Sequence, residues 1–334
     1  MTKLALGPTG VSVNVTADDT YLDEARQLEQ LGYLTTWLAG GQIDRLDRIA
    51  QLVRATTAIR VGSGIISPDV YGSDEVARLY SDLQATTPGR FVVGLGGSQK
   101  PRSLDALNRY LDQLDHVVPE VPAERRLLAA LGPRKLEIAR TRCAGAIALL
   151  VTPAYTSEAR TMLGEQSTLV IDQFVVLDTD ATRARETARE PLKFLSGIPG
   201  YRANFARMGF TDTDVSDLSD RLVDALVAWG DADTIAERIN THRNAGADHV
   251  ILAVLNRGNQ PGPLDVARQL GHRLTTAGAP TLQPEKVGAR SLMSPGVVET
   301  VSTSLPGTAS RSLLLPPPPR VGRLRRPPGE GTDH

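Results

Sequence analysis

Residues 88–99 read Pro-Gly-Arg-Phe-Val-Val-Gly-Leu-Gly-Gly-Ser-Gln. A tight Pro-Gly turn leads into an apolar strand, and that strand ends in Gly96, Gly97, Ser98 and Gln99. Small residues at a strand end let a ligand approach the backbone, whose N–H groups can then donate to an anion. Residues 62–67, Gly-Ser-Gly-Ile-Ile-Ser, end an earlier strand in the same manner. Both stretches suit ligand binding through the backbone, not acid–base work by a dense polar cluster.

Other chemistries find little support. His116, His242, His249 and His272 are scattered without metal-ligand spacing, so no metal site is expected. The single cysteine, Cys143, excludes a disulfide framework and a thiolate cluster, and reads as a reduced, inert thiol. There is no Gly-x-Ser-x-Gly elbow and no Walker loop. Gly94-Leu95-Gly96-Gly97 lacks the third glycine of a dinucleotide fingerprint. No catalytic residue is assigned. Asp69 and Tyr71 follow the third strand and Tyr155 follows the sixth, positions from which each could face a substrate or simply pack.

A formal net charge of -1 and a sequence pI near 6.5 argue against nucleic acid or an anionic membrane as partner. Only 4% of residues are aromatic, too few for base-stacking platforms. No apolar run of about 18 residues and no signal peptide is seen, so a cytoplasmic protein is expected.

These candidate residues need a scaffold, and the sequence alternates strand and helix signals. Strands are predicted at 11–15, 34–38, 60–66, 91–95, 126–130, 146–151, 169–177 and 249–255. Helices fall between them, for example at 19–31, where Leu22, Ala25, Leu28 and Leu31 share a face. Two extra helical pieces are predicted at 201–208 and 218–229. Eight strands with intervening helices over about 275 residues predict an α/β fold, a (β/α)8 TIM barrel with short insertions. An open doubly wound sheet fits the count less well. Ligands on such a barrel bind at the C-terminal strand ends, where the small-residue stretches lie. From residue 280 onward lie ten of the 22 prolines and a basic cluster, Arg320 to Arg326. The expected division is therefore a barrel over 1–275 and a proline-rich, disordered tail over 276–334, with a docking role as the lesser alternative.

Several segments together resemble the luciferase-like flavin and deazaflavin oxidoreductases. They are 25–37 (ARQLEQLGYLTTW), 55–65 (ATTAIRVGSGI) and 88–99. Residues 123–133 (AERRLLAALGP), 221–231 (RLVDALVAWGD) and 245–255 (AGADHVILAVL) are similar to a subgroup of coenzyme F420-dependent oxidoreductases. The resemblance covers roughly residues 5 to 275.

The resemblance implies a (β/α)8 barrel that binds FMN or F420 at the strand ends. It also implies a cis peptide after the third strand, here Gly64–Ile65, backing the cofactor ring. Gly64, Ile65 and Ser67 would flank the ring. Gly96, Gly97, Ser98 and Gln99 would line its side chain and phosphate, with Thr152 and Pro153 completing the pocket. Asp69, Tyr71 and Tyr155 would face substrate. Several deazaflavin dehydrogenases of the family carry an Asp-His pair after the second strand, where this chain has Gly40-Gly41. No imidazole acts from there, and the freed space would admit a larger substrate or a closer cofactor. The implied function is F420-dependent hydride transfer to or from a small organic substrate, by a homodimer. Alternatives are an FMN-dependent monooxygenase and a non-catalytic flavin-binding barrel.

Overall fold

The computed structural model describes residues 3–96 and 103–274, the side chain of His272 excepted. The expectations for Gly97, Ser98 and Gln99, and for a tail over 276–334, lie outside the described residues.

The chain opens with β1 (Thr9–Val13), α1 (Thr20–Gln30), β2 (Thr35–Ala39), α2 (Asp47–Ala55), β3 (Arg60–Gly64), α3 (Ser73–Thr86), β4 (Phe91–Leu95) and α4 (Ser103–His116). It continues through β5 (Arg126–Ala129), α5 (Pro133–Arg142), β6 (Gly145–Leu149), α6 (Pro153–Leu163) and the long β7 (Thr168–Leu177). Four helices follow: α7 (Ala181–Leu195), α8 (Pro199–Arg207), α9 (Asp212–Ser216) and α10 (Asp220–Leu226). The last elements are β8 (Val227–Gly230), α11 (Ala232–Asn244), β9 (His249–Val254) and α12 (Pro263–Leu274).

β1 through β7 pair in order, β7 pairs with β9, and β9 returns to β1, every ladder parallel. The ring closes with eight strands, a TIM barrel, and these are the eight predicted from the sequence. Strands buried on both faces read as near-continuous apolar runs, which is why they were legible.

One expectation is corrected. Residues 218–229 were predicted to be helical throughout, but the helix stops at Leu226 and Val227–Gly230 forms β8. The reason lies in β7. Its first half pairs with β6 only as far as Asp172, opposite Leu149. Beyond that point the same edge is open, and Phe174–Leu177 takes up Val227–Gly230. A β-branched and aromatic segment next to an unpaired edge gains more as a strand than as another helical turn.

The barrel floor is filled by Leu6, Trp37, Val92, Leu127, Ile147, Val170 and Ile251. Trp37 lies across Gly62, where a Cβ would stand 2.3 Å from the indole ring. Its Nε1 donates to His249 Nε2 at 3.0 Å. His249 Nδ1 lies 2.7 Å from the Gly7 carbonyl oxygen. An acceptor on one side and a donor on the other fix the neutral imidazole with its proton on Nδ1. Burial pushes the His249 pKa down to about 4.

Candidate functional site

Side chains along a strand alternate between faces. The floor residues therefore identify the next layer up: Ala39, Gly94, Ala129, Leu149, Asp172 and Ala253 each lie two positions beyond a floor residue, and Gly64 lies two beyond Gly62, over which Trp37 packs. All of these but Gly94 are part-exposed, whereas the floor residues are buried. Phe174, one further step along β7, is part-exposed as well. Apart from Arg60 at the start of β3 and Leu177 at the end of β7, part-exposure on the barrel strands is confined to this lumen-facing layer. Among the described residues, the barrel is plugged below and part-exposed at its C-terminal mouth.

One wall of the mouth is a bulge. β3 and β4 pair at Val61–Phe91 and Gly62–Val92, then again at Ile66–Leu95. Four steps on β3 match three on β4, so one extra residue is accommodated. Ser63 Oγ fills the gap by donating to the Gly94 carbonyl oxygen (3.0 Å) and accepting from Gly94 N–H (2.9 Å). Ile66 N–H donates to Gly94 O and Gly96 N–H to Ile66 O, both at 2.8 Å. The Gly64–Ile65 peptide is cis, as the resemblance implied.

The bulge brings Gly40, Gly64, Ile65 and Gly96 together. A Cβ on Gly40 would stand 2.5 Å from the Ile65 carbonyl oxygen, so no space is freed at that position. Only Gly41 faces open space, with nothing within 4 Å of its Cβ position. This corrects the expectation that both glycines widen the site. Gly96 is buried under the Ile65 side chain, and its N–H is committed to Ile66 O.

The remaining candidates mostly brace the mouth. Ser67 anchors a turn, its carbonyl accepting from Val70 and Tyr71 N–H and its hydroxyl from Asp69 N–H. Tyr71 is part-exposed, and its hydroxyl donates to Ile43 O at 2.9 Å, tying this turn to the segment after Gly40. Gln42, which sequence reasoning did not single out, ties that segment to Asn14 and Val15. Across the mouth, Thr152 caps α6 by accepting from Tyr155 N–H, and Pro153 is its first residue. Tyr155 is buried rather than turned to the mouth. Its hydroxyl reaches Leu131 O at 2.9 Å and Ala130 O at 3.3 Å, and burial raises its pKa. Cys143 is buried, its thiol pushed up to about 12, chiefly by desolvation.

Two features escaped the sequence reading. Asp172 sits in the middle of β7 facing the lumen, and its buried Oδ1 has no hydrogen-bond partner. Desolvation alone raises its pKa to about 7. Nearby on α8, the Tyr201 hydroxyl is pushed up by burial and then by the charge of Asp172. The signal was there: a carboxylate inside an apolar strand. The second feature is the N-terminus of α5. A Cβ on Gly132 would stand 3.5 Å from the Arg207 guanidinium, and Gly132 supplies no side-chain cap. Pro133 has no N–H, and the Lys135 and Leu136 N–H groups donate to the Gly132 carbonyl oxygen, so one backbone donor of this first turn, the Arg134 N–H, is left on the side of the guanidinium. Lys135 lies in the same first turn, its amine pKa lowered by burial.

A separate cavity of about 870 Å³ opens beside the barrel where β7 and β8 end and the 257–261 loop begins. Its central carboxylate, Asp178, accepts from Arg183 and Gln260, and these bonds hold its pKa well below the usual carboxylate range. Among the described residues no group of three or more His, Cys, Asp or Glu is placed to hold a metal ion. No helix among them is long and apolar enough to cross a membrane.

Residues 12–121 match the luciferase-like monooxygenase family. A search of curated proteins finds no sequence match. Solved structures of similar fold include an F420-dependent secondary alcohol dehydrogenase in complex with an F420-acetone adduct. It is 14% identical, with a TM-score of 0.63 over 82% of this chain and 99% of that one. Another is the coenzyme F420-dependent tetrahydromethanopterin reductase from Methanopyrus kandleri, 14% identical with a TM-score of 0.57 over 82% and 99%. A third is the oxygenating constituent of 3,6-diketocamphane monooxygenase from Pseudomonas putida, in complex with FMN. It is 13% identical, with a TM-score of 0.57 over 80% and 98%. The family match runs from the end of β1 to just before β5, and over the rest of the barrel the likeness to these solved structures is one of fold.

Proposed function

We propose that the protein is an oxidoreductase that uses coenzyme F420 to exchange hydride with a small organic substrate. The observation that carries this reading is the open upper layer of the barrel, walled on one side by the β3–β4 bulge. Ala39, Gly40 and Gly64 present almost no side chain there, so the wall suits a flat ring laid against backbone. The opposite side is built from Leu149, Asp172, Phe174 and Ala253 and would face the substrate.

A ring cofactor of this family fits the residues present. The bulge would back the ring, with Ile65 against it. The phosphate would be held at the N-terminus of α5, between the Arg134 N–H and the Arg207 guanidinium. When bound, the deazaflavin supplies the hydride. The chain's own residues orient the ring, keep the floor dry through Trp37 and its neighbours, and position the substrate against Phe174 and Leu149.

FMN is the second reading, favoured by the family description and by the FMN complex among the structures of similar fold. Titrating the purified protein with F420 and with FMN by fluorescence quenching tests both. F420 binding at micromolar concentration, with hydride transfer to a carbonyl, alkene or imine panel and no oxygen uptake, is the expected result. Oxygen consumption with reduced FMN would favour the monooxygenase. Failure to bind either cofactor would remove both readings.

A further inference from the structure

Asp172 is unusual among the carboxylates of this chain. Asp115, Asp178, Asp214 and Asp224 each accept hydrogen bonds from arginine or from capping groups. Asp172 does not, and its Oδ1 is buried without a partner. Nor is it misplaced packing. The same strand turns Val170 into the dry floor and Phe174 into the open layer, so the carboxyl stands where floor meets mouth.

The groups around it carry no compensating charge. β6 brings Leu149, opposite Asp172 in the ladder, and β9 brings Ile251 and Ala253. From α8, Tyr201 is within reach of its charge, while Arg202 and Arg207 on that helix are engaged by Asp212 and Asn204. A carboxyl in such surroundings keeps its proton into the neutral range, and a protonated carboxyl is a hydrogen-bond donor.

We propose that Asp172 is the proton-delivering residue of this site, and that the site takes a neutral substrate whose reacting carbonyl or imine accepts a hydrogen bond from it. The inference rests on the oxidoreductase reading above. In the reducing direction the carbonyl carbon accepts a hydride from a reduced deazaflavin or flavin, the hydride donor of that reading. The C=O π pair moves to oxygen, and oxygen takes the proton from the Asp172 carboxyl. The carboxylate recovers a proton from water at the open mouth. The reverse sequence serves alcohol oxidation. A carboxylate-bearing substrate is disfavoured, because its charge would meet Asp172 in a desolvated site.

The test has two independent readouts. In the first, protein labelled with carboxyl-13C aspartate is titrated by NMR, with Asp172→Asn identifying the resonance. The expected result is a midpoint near pH 7 and a shift of that resonance on adding cyclohexanone as a neutral probe, with none on adding cyclohexanecarboxylate. In the second, cofactor-loaded wild type, Asp172→Asn and Asp172→Glu are compared on ketones, aldehydes and imines. Asp172→Asn should lose about 100-fold in kcat with cofactor affinity unchanged. The alkaline limb of the wild-type profile should disappear with it, and Asp172→Glu should recover part of the rate. Titration of Asp172 near pH 4, or full turnover by Asp172→Asn, would overturn the proposal. If Asp172→Asn does not fold, Asp172→Leu identifies the resonance and the wild-type titration still decides. A wild-type protein that binds no cofactor yet titrates near pH 7 would count against the oxidoreductase reading alone.

Discussion

Gly40 and the carbonyl of Ile65 approach so closely that a Cβ on Gly40 would stand 2.5 Å from that oxygen. Its neighbour Gly41 faces open space. Two adjacent glycines therefore have different reasons to be small. Gly40→Ala must push the segment after β2 away from the bulge, at a cost of about 1–3 kcal/mol. Gly41→His should fold with stability within about 0.5 kcal/mol of wild type. Chemical denaturation of both variants checks the pair. Equal losses would mean that the bulge does not constrain this segment.

The phosphate position proposed at the N-terminus of α5 gives a binding prediction. Arg207→Ala removes the guanidinium beside Gly132 but leaves the Arg134 N–H. Affinity for F420 or FMN should fall about tenfold, roughly the worth of one charge-assisted contact. The loss should shrink as salt is raised, because screening already weakens the wild-type contact. Riboflavin, which has the ring without the phosphate, should bind both proteins alike. Isothermal titration at two ionic strengths reads all three outcomes.

How legible this site was depends on which side of the mouth is considered. The β3–β4 wall is local. Gly-Ser-Gly-Ile and Gly-Leu-Gly-Gly announce close backbone approach, and the bulge follows from a few neighbouring residues. The opposite wall is tertiary. Asp172 lies in a run, Leu-Val-Ile-Asp-Gln-Phe-Val-Val, whose apolar character marks a strand without revealing which side faces the lumen. Only the position of Val170 in the floor settles that. Tyr155 fails for a related reason: a residue in the first turn of a helix can point to the mouth or into the core. β8 was missed because its partner edge exists only where β7 outruns β6, a fact about two strand lengths and not about Val227–Gly230.

Asp172 also predicts a stability effect with a definite sign. Its pKa rises from the ordinary aspartate value of 3.8 to about 7 in the fold, so its contribution is fully present below 3.8 and is lost as pH climbs through 7. At pH 8 the folded protein holds an unpaired, desolvated carboxylate. Asp172→Asn removes that charge and should stabilise the protein at pH 8 by about 2 kcal/mol, a figure kept modest because the mouth admits water. At pH 4 the two proteins should unfold alike. An asparagine variant less stable than wild type at pH 8 would show that the carboxylate has a partner.

The buried histidines act in the opposite pH direction. His249 and His242 both have their pKa pushed down to about 4 from 6.5, in each case chiefly by desolvation. A lowered histidine pKa means that the unfolded chain binds the extra proton first. Stability is therefore complete above about pH 6.5 and falls as pH drops toward 4, by about 3 kcal/mol per histidine. His242 makes one side-chain hydrogen bond, to Thr156 at 2.8 Å, and its Nε2 is unpartnered. His242→Leu should thus remove roughly half of this acid sensitivity at a small cost at pH 7. His249 holds Trp37 across the barrel floor, so His249→Leu should flatten the same slope but lose stability at every pH. Urea unfolding of the two variants between pH 4.5 and 7.5 separates these outcomes. A His242→Leu profile parallel to wild type would place the acid sensitivity in the carboxylates instead.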